Sequence, residues 1–171
     1  MMTETETLTD PRAAVLARIA DERRHWQDLV AEVGIDRLEE PGPMGEWSFK
    51  DLAAHLLGWR ERTIARFEAA ADGRPAPPPP WPAELEGEDD DPVNEWIHQQ
   101  HRNRPVEDVL RDVDRSYERL AAAVAALPEE QLTDPTAFPT LDGRSIVDVD
   151  LFGHLHDEHE PSIREWLARG R

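Results

Sequence analysis

Seven histidines, no cysteine and 37 acidic residues limit the chemistry open to this 171-residue chain. Without thiols there is no thiolate ligand, no cysteine nucleophile and no disulfide, so a reactive site must be built from imidazoles, carboxylates or hydroxyls. Four histidines fall in long helical patterns: His55 in FKDLAAHLLGWRERTIARFEAA, and His154, His156 and His159 in LFGHLHDEHEPSIREWLARG. On a helical wheel at about 100° per residue, His156 and His159 share the apolar sector of Val149, Phe152, Leu155, Ile163, Trp166 and Leu167. His154 and Glu158 point away from that sector, which makes His154 a surface residue. A buried imidazole must find partners for both nitrogens, so two on one apolar face need something inside the fold to receive them. His55, at the margin of its own helix's stripe beside Trp59, is the candidate. Three imidazoles from His55, His156 and His159 suit a borderline divalent ion such as Zn²⁺ or Ni²⁺. That ion would acidify a bound water and polarise an electrophile. The same rings, His55 and His159 above all, can instead work as acid and base without metal, or each can be satisfied by a core carbonyl or acid.

Other residues frame this cluster. Trp59 next to His55, with Trp81 on a long connection that could act as a lid, can line an apolar cleft for a small ligand. Pro161 removes one backbone N–H and crowds the carbonyl of Asp157, so a kink is expected just after His159. His25, His98 and His101 carry no surrounding constellation and are assigned no role. Phosphate-binding glycine loops, the G-x-S-x-G elbow and the H-E-x-x-H zinc motif do not occur in the sequence.

The elements that must position these residues read as helices. Asp10 and Pro11 supply a cap and a first-turn proline, and Leu16, Ile19, Trp26, Leu29, Val30 and Val33 recur at helical spacing up to Gly34, giving helix A over 11–33. Ser48 with Asp51 makes a capping-box variant that opens helix B, which runs to about Ala71. Residues 73–91, proline-rich and then acidic, form a long crossover. Asp91 and Pro92 begin a short helix to about Arg102, and Val106 to Leu127 carry the clearest amphipathic stripe, helix C. Ser145 and Asp148 cap helix D, which should reach about Ala168. Residues 1–9 read as a frayed tail, and strand-like alternation is absent. The class is all-α: one domain over 1–171, an up-down antiparallel four-helix bundle with a long B-to-C crossover.

With 19 basic against 37 acidic residues the net charge is −18, a field that repels nucleic-acid backbones and anionic lipid. No secretory pattern or membrane-spanning run is present, so the expectation is a cytoplasmic protein with a small-molecule partner.

The helix B and helix D segments quoted above resemble the DinB/YfiT-like superfamily, and within it the ClbS/DfsB family. The resemblance spans nearly the whole chain and is most specific in D-L-x-x-H-L-x-x-W and E-H-x-P-x-I-R. It implies a four-helix bundle, commonly dimeric, in which a helix B histidine and two last-helix residues bind a divalent metal in many members. Relatives include mycothiol- or bacillithiol-dependent isomerases and transferases and a self-protection hydrolase. His55 and His159 match the first and last ligand positions. The superfamily spaces its last-helix ligands four apart, which here falls on Leu155, leaving His156 as the expected substitute. The resulting expectation is an enzyme, hydrolase or thiol-dependent transferase, acting on an electrophilic small molecule. The alternative is a protein that sequesters such a ligand without turning it over.

Overall fold

The chain was described from a computed structural model covering residues 10–170; the tail expected over 1–9 lies outside the described residues. Helix α1 (Pro11–Val33) starts where Asp10 accepts from the Arg12 backbone N–H and ends at Gly34, whose φ of 83° suits a glycine. Its buried face runs Val15, Ile19, Glu22, Trp26, Leu29 and Val33, a 3.6-residue stripe with one carboxylate set among apolar groups. Between Gly34 and Ser48, although the sequence carries no strand-like alternation, lies a small antiparallel hairpin of β1 (Pro41–Met44) and β2 (Trp47–Ser48), with Pro41 opposite Ser48 and Met44 opposite Trp47. Gly42 is required there: its φ is 135°, and a Cβ would stand 2.6 Å from the Trp166 indole.

Helix α2 (Phe49–Ala71) opens on the full capping box, with Ser48 accepting from the Asp51 N–H and Asp51 accepting from the Ser48 N–H. Such a cap contributes about 1 kcal/mol, and it fixes the helix phase that sends His55 inward with Leu52, Leu56 and Ile64. The crossover leads through Trp81 to α3 (Asp91–His101), which packs closely on α2 because Gly58 presents no side chain to Ile97. Then come α4 (Val106–Ala126) and a short α5 (Glu129–Thr133).

Side-chain pairings fix the helix directions. Arg12 at the start of α1 donates to the carbonyls of Ala125 and Leu127 at the end of α4, and Arg23 pairs with Asp114, so α1 and α4 are antiparallel. Lys50 donates to the Arg102 carbonyl, Arg60 to Ser116, and Arg119 to Glu61 and Glu68, so α2 and α4 run the same way. The crossover does this, since it returns the chain to the end from which α2 began. The expected all-α bundle with its long crossover holds, with the hairpin as a small addition, but the up-down antiparallel order does not extend to α2 and α4, which the crossover makes parallel.

The last helix departs from expectation in extent and type. Ser145 and Asp148 do form their cap, the Asp148 N–H donating to Ser145 Oγ, but only one turn follows before residues 150–153 turn again. Helical structure resumes as a π-helical segment, His154–His159, that passes into α6 (Glu160–Arg169). Within it the Glu160 N–H donates to the Leu155 carbonyl, five residues back. The expected disturbance at Pro161 thus takes the form of a widened turn. Proline has no N–H for the Asp157 carbonyl and its ring crowds that carbonyl, and a π turn relieves both. No helix among the described residues is long and apolar enough to cross a membrane.

Candidate metal centre

The widened turn decides which histidines meet. In an α-helix, residues five apart differ by about 140° around the axis; in a π turn they stack. His154 and His159 therefore share a face, with ring centroids 4.6 Å apart, and both look toward α2. There the His55 Nε2 lies 3.0 Å from the His154 Nε2, which lies 3.0 Å from the His159 Nε2. The three rings' ligand atoms all fall within 4.8 Å of one another.

His55 and His159 thus come together as expected. His156 does not join them, because the turn that aligns 154 with 159 carries 156 to the other side of the segment, toward α1. His154 takes the place expected of His156. It is solvent-exposed, as expected, yet shared by both partner rings. Sequence reasoning missed it by assuming α-helical phase throughout; the available signal was Pro161, seven residues on.

The electrostatics keep His55 and His159 neutral. His55 is only 4% exposed; burial, then the neighbouring His159 and His154, push its pKa down to about 3. Burial and then His154 bring His159 down to about 4. Convergent Nε2 atoms are a poor hydrogen-bonding arrangement, because a single N–H on His154 cannot serve both neighbours well. They are a good donor set for a cation: neutral imidazoles are what a borderline divalent ion binds, and nitrogens 3.0 Å apart match two ligands about 2.1 Å from one ion at roughly a right angle. The buried His55 Nδ1 has no hydrogen-bond partner.

The trio stands between two cavities. Inward lies a cavity of about 290 Å³ walled by Leu56, Leu120, Leu151, Phe152 and Leu155, with Trp59 and Arg60 among its lining. Outward, a wider opening of about 650 Å³ is bordered by Met44, Trp47, Glu95 and His159. Trp59 occupies its expected position, its indole N–H donating to Asn94 Oδ1. Trp81 does not reach the cavity: it is 4% exposed, packs edge-on behind Trp59 at 5.1 Å, and joins Val93 and Ile97 in a small second core. The crossover is anchored by this packing, and Trp81 supports the wall rather than forming a lid.

Arg60 was not singled out in the sequence, where it reads as a charged residue flanking Trp59. Its guanidinium donates to Ser116 Oγ at 2.8 Å and Tyr117 Oη at 3.1 Å and lies 3.9 Å over the Tyr117 ring. These partners are neutral, so the cation lining the cavity keeps its full charge for an incoming anion.

On the opposite side of the segment, His156 donates from Nε2 to Glu22 Oε2 at 2.7 Å and from Nδ1 to Glu160 Oε2 at 2.9 Å. The His25 Nε2 lies 3.0 Å from the same Glu160 oxygen. Burial works against protonating His156, but the hydrogen bonds to Glu22 and Glu160 outweigh it and hold its pKa above the ordinary value. His25 and Glu22 were also missed. The signal was Glu22 itself, the one acid at a core position of the α1 stripe.

The model of the mycothiol maleylpyruvate isomerase N-terminal domain matches residues 19–157, most of the chain. The chain belongs to that family. The match places it in the DinB/YfiT-like superfamily, whose members often bind a divalent metal, and runs from Ile19 within α1 into the π-helical segment, including two of the three convergent histidines. No curated protein and no solved structure matches the chain significantly.

Proposed function

We infer that this member of the mycothiol maleylpyruvate isomerase N-terminal domain family is a cytoplasmic, metal-dependent enzyme. It isomerises an electrophilic small molecule or transfers a thiol, such as mycothiol, to it. The observation that carries this reading is the convergence of the His55, His154 and His159 Nε2 atoms between an apolar cavity and an open mouth. These residues would hold a divalent ion such as Zn²⁺ or Ni²⁺, which supplies Lewis acidity and lowers the pKa of a nucleophile's S–H or O–H. Leu56, Leu151, Phe152 and Leu155 exclude water from the carbon skeleton of the substrate. Arg60 orients it by pairing with an anionic group, and the Trp59–Asn94 hydrogen bond keeps that wall in place. The open side, bordered by Trp47 and His159, admits the thiol. The self-protection hydrolase chemistry of the ClbS/DfsB branch would use the same pocket with water as nucleophile.

The test is turnover of unsaturated carbonyl acids by zinc-loaded protein, with and without a low-molecular-weight thiol, beside a His55→Ala variant. Zinc- and thiol-dependent turnover lost in the variant is the expected result. Turnover with zinc but no thiol selects hydrolysis. Tight binding with the compound recovered unchanged selects sequestration, and equal zinc retention by wild type and variant removes the metal reading.

A further inference from the structure

The four groups on the α1 side of the π-helical segment are more than a brace between helices. We propose that His25, His156 and Glu160 form a second divalent-cation site, braced by Glu22, separate from the trihistidine cluster and sharing no ligand with it.

Ligand atoms of His25, His156 and Glu160 lie within 4.8 Å of one another, gathered about Glu160 Oε2, while Glu22 Oε2 holds the other ring nitrogen of His156, Nε2, at 2.7 Å. His156 and Glu160, four apart across the junction into α6, form a chelating pair, and His25 on α1 supplies the third donor. A second observation points to a ligand. Glu22 is 7% exposed, and its Oε1 is buried without a hydrogen-bond partner. A buried carboxylate oxygen left unpaired is costly, and positive charge bound beside His156 offsets that cost. Arg164 does not supply that charge to Glu22; it donates to Glu160 Oε1 and pairs with Glu32. Access comes from a cavity of about 360 Å³ that Glu22, His25 and His156 help to line.

Two imidazoles and one carboxylate form a harder donor set than three imidazoles. It suits Zn²⁺ and, relative to the first site, favours Mn²⁺.

The experiment is zinc stoichiometry on the full chain, by elemental analysis after equilibrium dialysis, in wild type, His55→Ala/His159→Ala and His25→Asn. Circular dichroism checks folding. Expected is about one equivalent of zinc retained by the double variant, and a loss of about one equivalent from wild type to His25→Asn. Should the double variant not fold, wild type against His25→Asn and Glu160→Gln decides alone. A folded double variant with no zinc, or equal zinc in wild type and His25→Asn, overturns the proposal. A failure of the trihistidine reading looks different: His55→Ala/His159→Ala would then hold as much zinc as wild type.

Discussion

The two faces of one six-residue π-helical segment carry histidines of opposite character. On the α2 side, His154 and His159 meet only another imidazole, and burial with like neighbours drives His55 and His159 to neutrality. On the α1 side, His156 is gripped by two carboxylates, which hold its pKa above the ordinary value. A histidine's role here follows from what the facing helix presents. A set of lone pairs with no competing acid is ready for a cation, whereas an imidazole between carboxylates holds its proton until a cation displaces it.

The largest expected effect comes from removing the buried member of the α2-side trio. His55→Ala should weaken zinc binding at that site by at least about 100-fold, more than the loss of an outer-shell partner causes; competition with a chromogenic chelator measures it. If affinity is unchanged, the two faces do not differ in the way their pKa values indicate.

Pro161→Ala tests the turn that separates the faces. With an N–H restored at position 161 the segment can revert to α-helical phase, turning His154 away from His159 by about 140°. Zinc affinity at the trio should then fall about 10- to 100-fold, comparable to an outer-shell loss, while thermal stability holds or rises. A parallel loss of both would mean that the proline stabilises the bundle rather than the geometry.

The faces should also respond oppositely to pH in metal-free protein. His55 and His159 titrate at about 3 and about 4 when folded. As pH falls from about 6.5, the unfolded chain takes up protons first and stability declines. His156 has a raised value, so its contribution is fully present below about pH 6.5 and is lost as pH climbs through its folded pKa. Urea midpoints across pH 4–9 should pass through a maximum near neutrality, and His55→Asn should flatten the acid limb alone.

The smallest effect is expected at Glu22→Gln. Replacing one charge-assisted partner of His156 should cost about 1–2 kcal/mol by urea denaturation and leave the His55-dependent zinc affinity unchanged.

Much of the architecture follows from local rules written in single residues. Asp10 and Pro11, Ser48 and Asp51, and Gly34 set helix starts and stops because a cap satisfies orphan backbone groups within a few residues. The stripe from Val106 to Leu127 is buried for the same kind of reason: apolar periodicity dictates a face. His55 and His159 were legible as site residues because α2 keeps α-helical phase and His159 ends the π turn.

His154, His25, Glu22 and Arg60 were not legible, and the cause is physical. Which of three closely spaced histidines faces α2 depends on whether a turn closes four or five residues back. That choice is made by Pro161 together with the packing of α6 against α1 and the hairpin, where Gly42 seats Trp166 and Arg37 lies 4.0 Å over its ring. The sequence alone determined that imidazoles would line the interior of a helical bundle. Only the tertiary structure sorted them into two clusters, because a one-residue change in helical phase swings a side chain through about 100°.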